Sequence, residues 1–543
     1  MSLYFKRVRE LVSSRYYLLC VSLVFIACFG FIATHISIGV DDLFAEYYNN
    51  GGLFAQGRFT ASVVYRIIGL KEPLPIIPEM MYGTLMLLAS ICYLYLIESN
   101  LNIKLDTTKC VLFTSLFISY PLVAEIYVYN MMPVALGLGY FCTAISLLSA
   151  HNWIKYKQSK QAVFSMLFMI IAISAYESFV ILYICYVVGM MLLKAVALKA
   201  KFDKKTLLES AKYASMLLIA IVLEYIFTII LINILGIKVT TYAATNISWS
   251  TRSLADALFW FVKSLGWQAI NAFGYLPIRI YIFCTIIGAV IALIWVIRKK
   301  RIAIMLLYFA FVASTWLLAL IQGEFIYRTC QAFAFFVAFV FLVLLISIDH
   351  LHLQRAWTHL AIALTVLIII WQSIDLNTWF LLENRRYEEE KNVLLTASDR
   401  LHEEQDLSKP VIFVGKYELS YGIQKHLRFN PTNSKMIDGI ISGIGIPNEN
   451  ADKSVSVEDI GYQYVQTTIT SSIRWSVTSF HKEFGVNGAL YKFYDYLGID
   501  DFIQGTPEMY EEAKILAIDM EAWPSRGAIV DKGDYIIVNF GVK

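Results

Sequence analysis

Apolar stretches of about 17–25 residues, long enough to cross a bilayer, recur at 18–38, 76–97, 108–124, 130–150, 213–236, 278–297, 302–322, 329–348 and 357–375. The stretch 161–194 is too long for one crossing and short for two. It reads as a tight hairpin, 161–176 and 178–194. Lys155, Lys157 and Lys160 precede it, and Lys194 and Lys199 follow it, so both ends belong on one side. The pattern predicts a polytopic α-helical membrane protein of about eleven transmembrane helices. Lys6, Arg7 and Arg9 before the first apolar run resemble the start of a signal peptide. No small-x-small cleavage site follows, so the run is read as a retained span.

The distribution of positive charge orients these spans. With the N-terminus inside, the inside segments hold 20 Lys and Arg and the longer outside segments hold 8. Short cytoplasmic loops are enriched in Lys and Arg, so the N-terminus is expected in the cytoplasm. The odd number of spans then places residues 384–543 outside. Two outside loops are long. Residues 39–75 end in Pro73, Pro75 and Pro78, and residues 237–277 carry Trp249, Trp260 and Trp267 among Leu and Phe. Ser253 and Asp256 have capping-box spacing ahead of that apolar run. These features predict helices lying in the membrane interface, with shorter ones at 42–50 and 57–69.

After residue 383 the pattern changes. PVIFVG (410–415) and DYIIVNF (534–540) read as short buried strands, and 386–405 and 508–522 read as helices. A transmembrane unit over 1–383 and a small extracytoplasmic α/β domain over 384–543 are expected, the latter within the usual domain size. Charge separates them too: 384–543 carries −7 and the remainder +10. At 58% hydrophobic and 16% charged residues, the chain is too apolar for a soluble globular protein. Nothing in it suggests a nucleic-acid partner. All eight cysteines lie in or beside apolar segments, none follows Cys330, and no Cys/His metal spacing occurs.

The candidate chemistry collects on the outer side. Asp41 and Asp42 close the first span, followed by Gly57 and Arg58 in the same loop. Glu125 lies in SYPLVAEIYVYN, Glu177 at the hairpin tip AYESF, and Glu324 and Arg328 in QGEFIYR. Each has a plain structural reading. A juxtamembrane Asp can cap a helix, Glu125 and Glu324 can be solvated loop acids, and Arg328 can snorkel. Two adjacent aspartates at a span exit, followed by Gly-Arg, favour function over capping. Glu224 sits mid-span, where an ionisable group is costly; it is read equally as a functional acid or as a neutral acid bonded to a neighbouring helix. A carboxylate at this face can act as general base on a sugar hydroxyl. Arg suits a leaving phosphate because its fork bonds two oxygens at once. The donor is then a sugar on a lipid phosphate, which demands an apolar groove beside the carboxylates.

This layout resembles the GT-C class of membrane glycosyltransferases. GVDD at 39–42, QGR at 56–58, AYESF at 175–179 and VIFVG in the tail are similar to the phage-type glucosyltransferase family of O-antigen serotype conversion. Tyr176-Glu177 stands where that family's hairpin suggests Tyr-Gln. The resemblance implies a multi-pass protein of the bacterial inner membrane with a periplasmic C-terminal domain. It implies inverting transfer of glucose, or a related hexose, from undecaprenyl-phosphate-sugar to O-antigen or another lipid-linked glycan. One of Asp41 and Asp42 is then the base, with Asp41 preferred. Asp42 binds the acceptor or a divalent cation (Mg or Mn), and Arg58 or Arg328 faces the donor phosphate. Glu125, Glu177 and Glu324 are supporting acids. Tyr462, Tyr464, Trp475 and Trp523 in the tail suit sugar stacking. Functional coupling to a donor-synthesising enzyme and a flippase follows from such a donor. Two alternatives stay open: a lipid-linked sugar flippase or transporter, and an O-antigen polymerase or ligase.

Overall fold

A computed structural model of the chain describes residues 2–43, 51–68, 74–130, 132–197, 204–237, 253–269, 278–323, 327–352, 354–420, 423, 472–477 and 485–541. Among these, nine helices are long and apolar enough to cross a membrane. The first, Arg15–Thr34, starts where the Ser14 side chain accepts from the Tyr17 N–H. The others are Ile77–Leu101, Thr107–Tyr127, Pro133–Tyr156, Phe179–Ala197, Thr206–Leu235, Arg279–Lys299, Gln331–His350 and Arg355–Glu404. The two remaining predicted crossings are shorter apolar helices. One is Ser159–Ala175. The other is Ala303–Thr315, which breaks at Trp316 before Leu317–Gln322.

Similar hydropathy hides different surroundings. Gln331–His350 is buried almost throughout, with Phe335 and Phe339 stacked along it. Thr206–Leu235 leaves Leu218, Tyr225 and Ile234 exposed. Lipid tails are as apolar as Leu, so a peripheral span need not hide such side chains. Helices Phe59–Ile68 and Leu254–Ala269 form in the two long loops where interfacial helices were expected. Residues 44–50, Trp249, Glu324, Tyr462 and Tyr464 lie outside the described residues, as do the side chains of Asp256, Trp260, Trp267 and Trp475.

The tail contains the expected strands in a four-stranded sheet ordered β2-β1-β4-β3. β1 (Pro410–Val414) lies parallel to both β2 (Ile503–Gln504) and β4 (Ile536–Asn539), and β3 (Ile529–Asp531) pairs antiparallel with β4. Alternate side chains serve alternate faces. Val411, Phe413, Ile536 and Val538 pack with Leu394, Leu401, Leu490 and Phe493, whereas Ile412, Val414 and Ile537 pack with Ala513 and Ala517.

Two features were not anticipated. The span at 357–375 and the helix at 386–405 are one continuous helix of 50 residues, Arg355–Glu404. Residues 376–385 contain neither Gly nor Pro, so nothing there stops a helix. The boundary at 383/384 therefore falls inside a helix shared by both regions. The chain also begins with a helix, Ser2–Val12, pinned by a buried Arg7–Glu98 ion pair of 2.6 Å.

Candidate functional site

The first span ends at Thr34, and the chain turns through Ser37–Gly39 into the short helix Val40–Leu43. Asp42 folds back onto this turn. Its Oδ2 accepts the Gly39 N–H at 2.9 Å, and Asn130 donates its backbone N–H to Oδ1 at 3.0 Å and its side-chain amide to Oδ2 at 2.9 Å. The same amide donates to the Ser37 carbonyl at 2.8 Å. Burial pushes the Asp42 carboxyl up to about 7, against the three donors that pull it down; the neighbouring Asp41 charge adds to the rise. Asp41 sits half-buried beside it. Tyr65, on the helix Phe59–Ile68, is buried near Asp42. Among the described residues its hydroxyl has no hydrogen-bond partner, and burial, with Asp42's charge, pushes it up to about 12.

Asn130 closes the connection in which Pro121–Val123 and Ala124–Tyr127 form short helical turns. Glu125 on that turn is only 1% exposed, and among the described residues its Oε2 has no hydrogen-bond partner. Beneath it, Tyr127 packs on Tyr82, Phe29 and Phe380 with ring centroids 4.8, 4.9 and 5.8 Å away.

Arg58 and Glu177 meet at the same end of the bundle. Arg58 donates Nε and Nη2 to the two Glu177 oxygens at 3.2 and 2.9 Å, and its guanidinium lies 4.4 Å from the Tyr176 ring centroid. Gly57 explains the Gly-Arg motif. At φ 78° it adopts the left-handed conformation that ends the preceding turn and lets the Arg58 N–H reach the Leu53 carbonyl at 2.8 Å. Partial desolvation raises the half-exposed Glu177 carboxyl, but the Arg58 charge and hydrogen bonds outweigh it and hold it below its ordinary value. Arg328 acts electrostatically on both Glu125 and Glu177. Its loop is tied in by Gln331, which donates to the Arg328 carbonyl at 2.7 Å and accepts from the Ser178 hydroxyl. Glu224 lies against Gly57 and accepts from Thr228 on its own helix at 2.8 Å.

The structure thus gathers Asp41, Asp42, Arg58, Glu125, Glu177 and Arg328 onto connections at one end of the bundle. Sequence reasoning missed Asn130, Tyr65 and the buried Arg386, described below. Only Arg386 carried a signal, in Glu383 and Glu390 at helical spacing on either side. Asp42 already uses three of a carboxylate's roughly four acceptor positions on N–H donors, which leaves a poor metal ligand. Among the described residues, no group of three or more His, Cys, Asp or Glu is placed to hold a metal ion. An open apolar groove lined by Leu23, Ala27, Ile370, Ile374 and Leu381 runs between the first span and the long helix.

A helical multi-span protein with paired carboxylates and arginines gathered at one face has the parts of a membrane glycosyltransferase. The family model for glucosyl transferase GtrII matches residues 30–346, more than half of the chain, and the protein belongs to this family. The match takes in every site residue named above except Arg386 and stops short of the tail. No curated protein matches the chain, and no solved structure does.

Proposed function

We propose that the chain transfers glucose, with inversion, from a polyprenyl phosphate to a lipid-linked glycan at the periplasmic face of the bacterial inner membrane. The observation that carries this reading is the division of labour within the aspartate pair. Both oxygens of Asp42 are held by N–H donors, a positioning arrangement, and Asp41 next to it is the base. An acceptor hydroxyl loses its proton to Asp41 as its oxygen bonds to the glucose C1. The C1–O bond to phosphate breaks, and the polyprenyl phosphate leaves with the electron pair. Arg58 or Arg328 meets the developing phosphate charge. The groove beside the first span suits the donor's lipid. Its lining includes Leu381, two residues before Glu383 of the ion cluster that reaches the aspartate turn.

The test is transfer of labelled glucose from undecaprenyl-phosphate-glucose to lipopolysaccharide in membranes carrying wild type, Asp41→Asn or Asp42→Asn. Wild type is expected to transfer. Asp41→Asn should lose on the order of 100-fold or more in rate while inserting normally. Full activity in both variants would reduce the pair to a helix cap.

A further inference from the structure

Arg386 is fully buried, about one turn beyond the groove on the long helix. A guanidinium out of water must be surrounded by acceptors. Glu383 takes its Nε at 3.1 Å and also its Nη2, and Glu390 takes Nη1. The remaining bonds leave the helix in two directions. Nη1 donates to the Ser472 hydroxyl in the tail at 2.7 Å, and Nη2 donates to the Ile38 carbonyl in the aspartate turn. Glu390 also accepts the Ile473 N–H at 3.2 Å.

The Ile38 carbonyl lies between two other fixed groups. The Ser37 carbonyl is held by Asn130, and the Gly39 N–H is spent on Asp42. Arg386 therefore completes a run of three consecutive restrained residues leading into the carboxylates. Packing repeats the theme. Ile38 and Leu43 bracket the two aspartates, and both are buried in the tail's own core with Ile473, Val477 and Phe493. The helix Val40–Leu43 packs against Ser472–Val477 and Gly488–Tyr496.

We infer that the C-terminal α/β region is part of the catalytic apparatus: through Arg386, a positioning residue, it holds the Asp41–Asp42 turn in its working geometry. The inference rests on the catalytic reading of that pair. It makes the tail more than an appended acceptor-binding module, because the base cannot be in place unless the tail is docked.

The test compares full-length wild type with Arg386→Gln, reading both glucose transfer and hydrogen exchange of the amides at 37–43. The variant should insert normally, lose on the order of 100-fold in kcat with little change in donor KM, and exchange faster at 37–43. Arg386→Lys should restore little, since an ammonium cannot reproduce the fork. Unchanged exchange and unchanged kcat in Arg386→Gln would overturn the inference. Should that variant fail to accumulate, Ser472→Ala removes one bond and leaves the charge paired. It should still speed exchange at 37–43 and lower kcat several-fold; wild-type behaviour there overturns the inference as well. Exchange does not depend on turnover. A wild type that transfers no glucose thus sinks the catalytic reading alone, and exchange still decides whether the tail holds the turn.

Discussion

Two buried arginines hold opposite ends of the molecule. Arg7, 6% exposed, donates to Glu98 at 2.6 Å, to the Leu105 carbonyl at 3.1 Å and to the Cys110 sulfur at 3.4 Å. Glu98 also accepts the Leu105 N–H at 2.8 Å, so the cluster closes the connection between two spans and staples the N-terminal helix to it. Arg386 solves the same desolvation problem with two carboxylates, a hydroxyl and a carbonyl. The chemistry is shared, and the consequences differ because the backbone each one grips differs. Arg7 grips a connection with no candidate site residue in it. Arg386 grips the turn that leads into the aspartates.

The comparison is sharpest when each arginine is removed. Arg7→Ala leaves Glu98 buried without its cation, which costs about 3–5 kcal/mol. The expected result is less folded, inserted protein, read by detergent-resistant fluorescence or protease protection, with kcat per surviving molecule unchanged. A fall in kcat matching that of Arg386→Gln would break the distinction.

Asn130→Ala probes the turn without touching Arg386. It removes one donor from Asp42 and the restraint on the Ser37 carbonyl. Transfer should fall about tenfold, the worth of a hydrogen bond to a charged group. Losing a donor that favours the carboxylate also moves Asp42 further up, so the pH–rate profile should shift to higher pH than in wild type.

Wild type has its own pH signature. Asp42 is raised from 3.8 to about 7 by burial. The ionised form accepts the three N–H donors, so transfer should rise as pH increases through about 7. Stability should run the other way. Between about 4 and about 7 the folded state holds a proton that the unfolded chain has released, so this group's contribution to stability declines across that window as pH rises. A pH–rate profile and a thermal-shift series over the same range check both signs.

The smallest effect is expected at Glu177→Gln. Its carboxylate is 46% exposed, and ion pairs of that kind contribute about 0–1 kcal/mol. Transfer should change by less than about fivefold, since Tyr176 still supports the Arg58 guanidinium.

Much of this architecture could be read from the chain alone. Every apolar window became a helix, because a bilayer-length apolar run has few other ways to satisfy its backbone. PVIFVG and DYIIVNF became neighbouring parallel strands. The acids and arginines assigned to one side by the loop charges lie on connections at one end of the bundle. The missed residues share a cause. Arg386 and Ile38 are 348 positions apart, Asn130 and Asp42 are 88, and Arg7 and Glu98 are 91. Periodicity reports a helix face, and it does not report which distant carbonyl that face will meet. Asn-Arg-Arg-Tyr-Glu-Glu-Glu at 384–390 looks like a solvated helix surface, and only the docked tail turns Arg386 inward.

The unbroken helix Arg355–Glu404 makes the tail's placement a matter of phase. Each residue of an α-helix advances about 1.5 Å and rotates about 100°. A single residue inserted after Leu376 would lift the tail negligibly and swing it by more than a quarter of a circle, carrying Arg386 and Ser472 together away from the Ile38 carbonyl. Any recombination that exchanges tails among such proteins must therefore preserve helical register across the join. The length of the connecting rod is free to vary only in steps near whole turns, so the tail's docking is gated by angle rather than by distance.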